Sequence, residues 1–288
     1  MQLQFTKMHG AGNDFIVINA IHQDISHLTT IDWKKLADRK FGIGADQILI
    51  VEKATISNAD FKYRIFNHDG TEVEQCGNGS RCFVRFVREK SLTQKTEIRV
   101  EVAHTILTLT ELDDGRVKVN MGAPILEHRL IPFIHDGLAS HQVGQTLEYA
   151  LPLSNKKVWI TPISMGNPHA VQIVESVDLA PLSSEGPLIE NHSAFPQRVN
   201  ASFVQIIDRH TINMRVFERG AGETLSCGTG ACAAVVAGIL QRRLDSPVLV
   251  HTRGGDLEIE WGYQLQGTLA QVMMTGPATT VFDGQIDL

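Results

Sequence analysis

A chain of 288 residues, 43% apolar and 20% charged, has the make-up of an ordinary globular protein with room for two domains, which excludes wholesale disorder. The formal net charge of −6 lacks the basic footprint of a nucleic-acid binder. Four cysteines are too few for a disulfide scaffold and fit thiols in a reducing compartment.

In chain order, an apolar strand at 15–18 follows Gly12-Asn13, and a helix is predicted over 32–40, capped by Thr29-Thr30 and stopped by Phe41-Gly42-Ile43-Gly44. A strand at 61–66 leads to Cys76-Gly77-Asn78-Gly79 and a helix over 80–89. On that helix Phe83, Val84, Phe86 and Val87 are apolar, and Arg81, Arg85, Arg88 and Lys90 read as its wet face, with a phosphate-binding surface as the alternative. Strands are expected at 97–102, 106–112 and 117–121. The stretch 122–155, with Pro124, Pro132 and Pro152, reads as a linker with a crossover near Pro124. Further strands are expected at 158–163, 170–174, 203–207, 211–217, 248–252, 257–261 and 267–274, around a helix over 231–241. That helix is apolar on nearly all sides, so it should be buried. Its core is about half of the roughly 20 residues that span a bilayer, and the first five residues lack a signal-peptide pattern. A cytoplasmic protein with no membrane or nucleic-acid partner is expected.

The two halves repeat. Arg64-Ile65-Phe66, nine residues and Cys76-Gly77-Asn78-Gly79 match Arg215-Val216-Phe217, nine residues and Cys227-Gly228-Thr229-Gly230. The offset is 151 positions, and Glu72 and Glu223 keep it. Upstream, Gly12-Asn13 and Gly166-Asn167 each precede an apolar strand. The period is far too long for a solenoid.

Each half thus offers one thiol ahead of a helix. The unpaired N–H groups at a helix start carry partial positive charge. They lower a thiol pKa and bind a carboxylate. Glycines at 77, 79, 228 and 230 allow close backbone approach. Two opposed thiols can remove a proton from one face of a carbon and return one to the other, the chemistry of racemases and epimerases. Other readings have less support: no Cys-x-x-Cys motif suggests a redox pair, and spacings of six (Cys76, Cys82) and five (Cys227, Cys232) fit no common zinc pattern, so no metal is expected. Cys82 and Cys232 read as buried structural thiols.

These residues resemble the diaminopimelate epimerase family. The resemblance lies in Lys7-Met8-His9-Gly10-Ala11-Gly12-Asn13-Asp14-Phe15, Asp46-Gln47, Phe66-Asn67 with Asp69-Gly70, Cys76 to Cys82, Gly166-Asn167-Pro168-His169, Asn200, Phe217-Glu218-Arg219-Gly220 with Gly222-Glu223-Thr224, and Cys227 to Cys232. It implies a cofactor-independent, PLP-independent isomerase of lysine and peptidoglycan precursor synthesis that interconverts L,L- and meso-diaminopimelate. Cys76 and Cys227 would be the acid–base pair, with Cys76 the base towards the L,L substrate. His169 and Glu218 would support them. Gly77, Asn78, Gly228 and Thr229 would bind the reacting carboxylate. Asn13, Gln47, Asn67, Asn167, Asn200, Glu218 and Arg219 would recognise the substrate. Taken singly, Asn13 and Asn67 would be turn residues, Glu218-Arg219 surface charges and His169 a core histidine.

The family's fold implies an α/β (α+β) chain of two pseudo-symmetric halves, each a curled, mainly antiparallel sheet around a central helix, with the active site in the cleft between them. The halves would be 1–122 plus 277–288, carrying Cys76, and 123–276, carrying Cys227. The family forms homodimers, often with a tyrosine at the contact; Phe282 takes that place here, keeping the ring and losing a hydroxyl. A proline-type racemase and a redox-responsive binding protein are the alternatives. The first would have no use for Glu218-Arg219 and the asparagines.

Overall fold

The computed structural model describes residues 2–73, 77–103, 105–154, 156–265 and 268–288. It divides into two compact units, Met1–Asn120 with Thr275–Leu288, and Met121–Met274.

In the first unit β1 (Gln2–Gly10) turns at Ala11-Gly12, both at positive φ, into antiparallel β2 (Asn13–Asn19). Helix α1 (Thr30–Ala37) then crosses over, which lets β3 (Gln47–Lys53) lie parallel to β2. β4 (Phe61–Asn67) runs antiparallel to β3 and is followed by the short β5 (Glu72–Val73). Helix α2 (Gly77–Glu89) makes the second crossover, placing β6 (Glu97–Val102) parallel to β4. β7 (Thr105–Glu111) and β8 (Val117–Asn120) continue antiparallel.

Strands β2 and β3 read as unbroken apolar runs because both faces of the sheet are covered. Phe15 to Ile18 and Ile48 to Val51 are all buried. One face meets α2; the other receives Trp33 and Leu36 of α1, and the Trp33 ring stacks on Phe66 at 5.2 Å. The start of α1 is fixed by Thr29, whose N–H and hydroxyl both donate to the Asp32 carboxylate at 2.8 Å, a cap that contributes about 1 kcal/mol. The helix ends earlier than the predicted 40 because Ile43 and Gly44 fold back to donate to the Leu36 carbonyl.

The second unit opens with the hairpin β9 (Ser140–Val143) and β10 (Thr146–Pro152), then β11 (Lys157–Ser164) and β12 (Pro168–Ile173), all antiparallel in turn. Helix α3 (Leu182–Glu190) crosses to β13 (Asn200–Asp208), parallel to β12. β14 (Thr211–Glu218) and β15 (Gly222–Thr224) follow antiparallel, and α4 (Gly228–Leu240) crosses to β16 (Val248–Thr252), parallel to β14. β17 (Gly255–Glu260) pairs antiparallel with β16. The small pair β18 (Gln264–Leu265) and β19 (Thr268–Leu269), then β20 (Met273–Gly276), lead to β21 (Thr279–Asp287). β21 belongs to the first unit and lies antiparallel to β1.

The repeat is therefore structural. Each unit runs parallel pair, antiparallel return, 13-residue helix, parallel pair. The same two-point ion pair recurs at the same place: Arg64 to Glu72 at 2.7 Å twice, and Arg215 to Glu223 at 2.8 and 3.1 Å.

Several expectations are corrected. Residues 122–155 are not a linker: Ile131, Phe133, Tyr149 and Leu151 form a core with Leu182, Ile189 and Phe195, and Pro152 merely closes β10. Helix α3 escapes sequence reading because Gly186-Pro187 looks like a turn. The single strand expected at 267–274 is divided between β19 and β20, position 267 itself lying outside the described residues. Both central helices begin three residues before the predicted 80 and 231, so the glycines form their first turns.

Candidate active site

In the first unit the topology gathers one set of side chains. The starts of β2 and β3 and the end of β4 lie together, since Phe15 pairs with Gln47 and Gln47 with Asn67. Gln47 Nε2 donates to Asn67 Oδ1 at 3.0 Å, and the buried Gln47 Oε1 is left without a hydrogen-bond partner. Asn13 Nδ2 donates to the Asp46 carboxylate at 3.0 Å, and Asn78 Nδ2 to Asn13 Oδ1 at 3.4 Å. Gly77 and Asn78 open α2. Cys76 lies outside the described residues.

Charged residues lock this set. Arg39 spans Asp14 (3.0 and 2.7 Å) and Asp46 (2.7 Å), and Lys7 reaches Asp14 at 2.7 Å. Burial raises the Asp14 pKa, but the hydrogen bonds from Arg39 and Lys7 outweigh it and hold the carboxyl well below the usual range. Sequence reasoning missed Asp46 as the residue that orients Asn13. It also placed Arg81 on a wet face. Arg81 is instead fully buried at the start of the second turn of α2, donating to Asn78 Oδ1 at 2.8 Å and to the Pro277 carbonyl at 3.0 Å. The helix periodicity placed it correctly beside Arg85 and Arg88, but this end of the helix is covered by Gly10 and Pro277.

The second unit builds the matching set. Asn167 precedes β12, His169 lies within it and pairs with Asn200 at the start of β13, and Glu218 ends β14. Cys227 is the N-cap of α4, and Gly228 and Thr229 form its first turn. Asn167 Nδ2 donates to Thr229 Oγ1 at 3.3 Å, and its Oδ1 lies 3.1 Å from His169 Nε2. An amide oxygen only accepts, so Nε2 carries the proton and Nδ1 is bare. Nδ1 is buried without a hydrogen-bond partner. Burial first, then the Arg219 charge, push the imidazole down to about 3, so it is neutral.

Asn200 is engaged at both ends: Nδ2 donates to the Pro168 carbonyl at 2.9 Å, and Oδ1 accepts the Arg219 N–H at 3.0 Å. Its amide thereby fixes the backbone of Arg219, whose Nη1 donates to the Gln197 carbonyl at 3.1 Å. Behind this turn the buried Glu190 accepts the Gly220 N–H at 2.7 Å and Arg198 Nη1 at 3.2 Å, a second support the sequence did not reveal. Thr224 donates its hydroxyl to Glu218 Oε1.

Cys227 is 6% exposed. A thiol lowered by the helix start is the sequence expectation, and here the opposite holds. Burial and then the Glu218 carboxylate push the thiol up, outweighing the Thr229 hydroxyl, 3.5 Å from Sγ, and the Gly230 N–H. Cys227 is a protonated thiol at neutral pH, a proton donor beside an anion. Cys82 and Cys232 are buried on the central helices. Among the described residues no group of three or more His, Cys, Asp or Glu could hold a metal ion.

The diaminopimelate epimerase family profile matches residues 5–127 and 161–281. A diaminopimelate epimerase of Cupriavidus pinatubonensis is 61% identical over 288 residues, covering 100% of this chain and 98% of that protein. That of Burkholderia thailandensis is 57% identical, covering 100% and 99%. Among solved structures, a Bacillus anthracis phenazine-biosynthesis protein of the PhzF family aligns over 100% of both chains with a TM-score of 0.72 at 16% identity. A hydroxyproline epimerase from Agrobacterium vitis aligns over 99% of this chain and 92% of its own with a TM-score of 0.69 at 17% identity. These two share the fold. By sequence, over its full length, the chain belongs to the diaminopimelate epimerase family.

Proposed function

We propose that this protein interconverts L,L- and meso-diaminopimelate by a two-base proton transfer between Cys76 and Cys227, without a cofactor, in the synthesis of lysine and peptidoglycan precursors. The observation that carries the reading is the buried Cys227 thiol at the start of α4, held protonated beside Glu218. In the L,L direction the Cys76 thiolate takes the α-proton. The C–H electron pair passes into the carboxylate, and the Cys227 S–H proton is delivered to the opposite face. Cys76 ends as thiol and Cys227 as thiolate; the reverse reaction exchanges their roles. Such proton transfer contributes about 10² to 10⁴-fold. The N–H groups opening both central helices, at Gly77-Asn78 and Gly228-Thr229, offset the charge that develops on the carboxylate.

Features of the site support the roles of the other residues. Neutral His169 offers a bare Nδ1 acceptor. Arg219 suits the distal carboxylate and Glu218 an ammonium. Gln47 Oε1 is a second unpartnered acceptor, and Asn13, Asn67, Asn167 and Asn200 supply amides. No described helix is long and apolar enough to cross a membrane. Val281 and Phe282 stand exposed on β21, which suits a homodimer contact there.

Proton NMR of L,L-diaminopimelate in D₂O with reduced protein tests the reading. Wild type should yield the meso isomer with deuterium at the inverted α-carbon, and Cys76→Ala and Cys227→Ala should each fail to epimerise. Wild type that neither exchanges nor inverts the substrate would sink it.

A further inference from the structure

We infer that Arg81 is a positioning residue that fixes the Asn78 side-chain amide, so that its NH₂ group and not its oxygen is offered to the reacting carboxylate. The inference rests on the epimerase reading above. A guanidinium can only donate, so the Asn78 atom 2.8 Å from Arg81 Nη2 is its oxygen. The amide is thereby locked with Nδ2 on the other side, where Asn13 Oδ1 lies at 3.4 Å. Nδ2 carries two hydrogens, so one donation to Asn13 leaves a second for a ligand. Arg81 is itself held through Nε by the Pro277 carbonyl at 3.0 Å. Gly10 leaves it room: a β-carbon there would stand 3.2 Å from both Arg81 Nη2 and the Asn78 carbonyl.

The repeat supplies the second argument. In register, Asn78 corresponds to Thr229 and Arg81 to Cys232. A planar amide presents the wrong atom if it flips, whereas a hydroxyl rotates to donate or accept as needed. Thr229 is placed by Asn167 at 3.3 Å and lies 3.5 Å from the Cys227 Sγ. It needs no anchor, and a neutral cysteine fills the equivalent place. The half that uses an asparagine keeps a buried cation, which is costly to bury, to hold it.

A double-mutant cycle in kcat/KM for L,L-diaminopimelate tests this, using Asn78→Ala, Arg81→Met and both together. Each single change should lower kcat/KM by about 30-fold, the scale of one charge-assisted hydrogen bond. In the Asn78→Ala background Arg81→Met should cost less than about twofold, because the residue it acts through is gone. Arg81→Lys, which keeps one donor, should recover part of the loss only when Asn78 is present. It carries the same cycle if Arg81→Met does not fold. Additive losses would overturn the inference and leave Arg81 a purely structural residue. Wild type inactive on diaminopimelate in reducing buffer would overturn the epimerase reading itself.

Discussion

His169 donates its Nε2 proton to the Asn167 amide oxygen at 3.1 Å, and this one bond sets both ends of the pair. It fixes the imidazole tautomer with a bare Nδ1. It also turns the Asn167 NH₂ group towards Thr229, 3.3 Å away and next to Cys227. A histidine in a strand thereby orients the first turn of a helix 60 residues on.

Because burial pushes the His169 pKa down to about 3, from an ordinary value near 6.5, folding is linked to pH with a definite sign. Between those two values the unfolded chain binds this proton and the folded chain does not. The contribution is complete above pH 6.5 and is lost as pH falls towards 3, by at most about 1.4 kcal/mol per pH unit. Urea unfolding of wild type and His169→Gln at pH 7, 5.5 and 4.5 checks it. The wild type should lose more stability than the variant as pH falls. His128, also pushed down by burial, cancels in the difference. Equal slopes would mean that His169 titrates normally.

Glu218 beside Cys227 predicts thiol reactivity. The carboxylate repels a thiolate, so Glu218→Gln should lower the thiol pKa while burial still holds it up. Alkylation of Cys227 by iodoacetamide at pH 8, read by peptide mass spectrometry, should be slow in wild type and several-fold faster in the variant. An unchanged or slower rate would remove Glu218 as a cause of the raised pKa.

The repeat and the two central helices were legible in residue spacing, at an offset of 151 around the cysteines and 154 from Asn13 to Asn167, whereas the grouping of Asn167, His169, Asn200 and Glu218 with Cys227 was legible only through the family resemblance. The sequence did not carry what depends on neighbours distant in the chain. A helix start favours a thiolate locally, but the burial and the carboxylate that reverse the effect at Cys227 are tertiary. Arg81 shares a helical stripe with Arg85 and Arg88, and Gly10 and Pro277, both distant in the chain, help take it out of water. Asp46 holds Asn13 solely because the parallel pairing of β2 and β3 aligns their starts.

Gly186 in α3 sets two effects against each other. Glycine to alanine inside a helix ordinarily stabilises by about 1 kcal/mol. Here a β-carbon would stand 2.5 Å from Phe217 Cγ and 2.7 Å from Phe217 Cβ, too near the backbone for the ring to swing aside. Overpacking of that kind costs about 1–3 kcal/mol, so Gly186→Ala should be net destabilising. Displacing Phe217 also displaces Glu218 and Arg219, so KM should rise. Urea midpoints and steady-state kinetics decide it; a stabilised variant with wild-type KM would show that α3 does not press on this strand.

Glu190 provides the sharper test of the same support. Its buried carboxylate accepts the Gly220 N–H at 2.7 Å and Arg198 at 3.2 Å, and so braces the turn after Arg219, whose N–H is held by Asn200. Arg198 is half exposed and can return to water, but the Gly220 N–H would lose a charged partner, about 1.5–3 kcal/mol of hydrogen bonding. Glu190→Ala should therefore loosen the turn and raise KM for diaminopimelate about tenfold, while kcat, under the two-thiol reading proposed above, stays within about threefold. Glu190→Gln keeps an acceptor and should recover most of the affinity. A loss confined to kcat with unchanged KM would mean that the turn holds without Glu190.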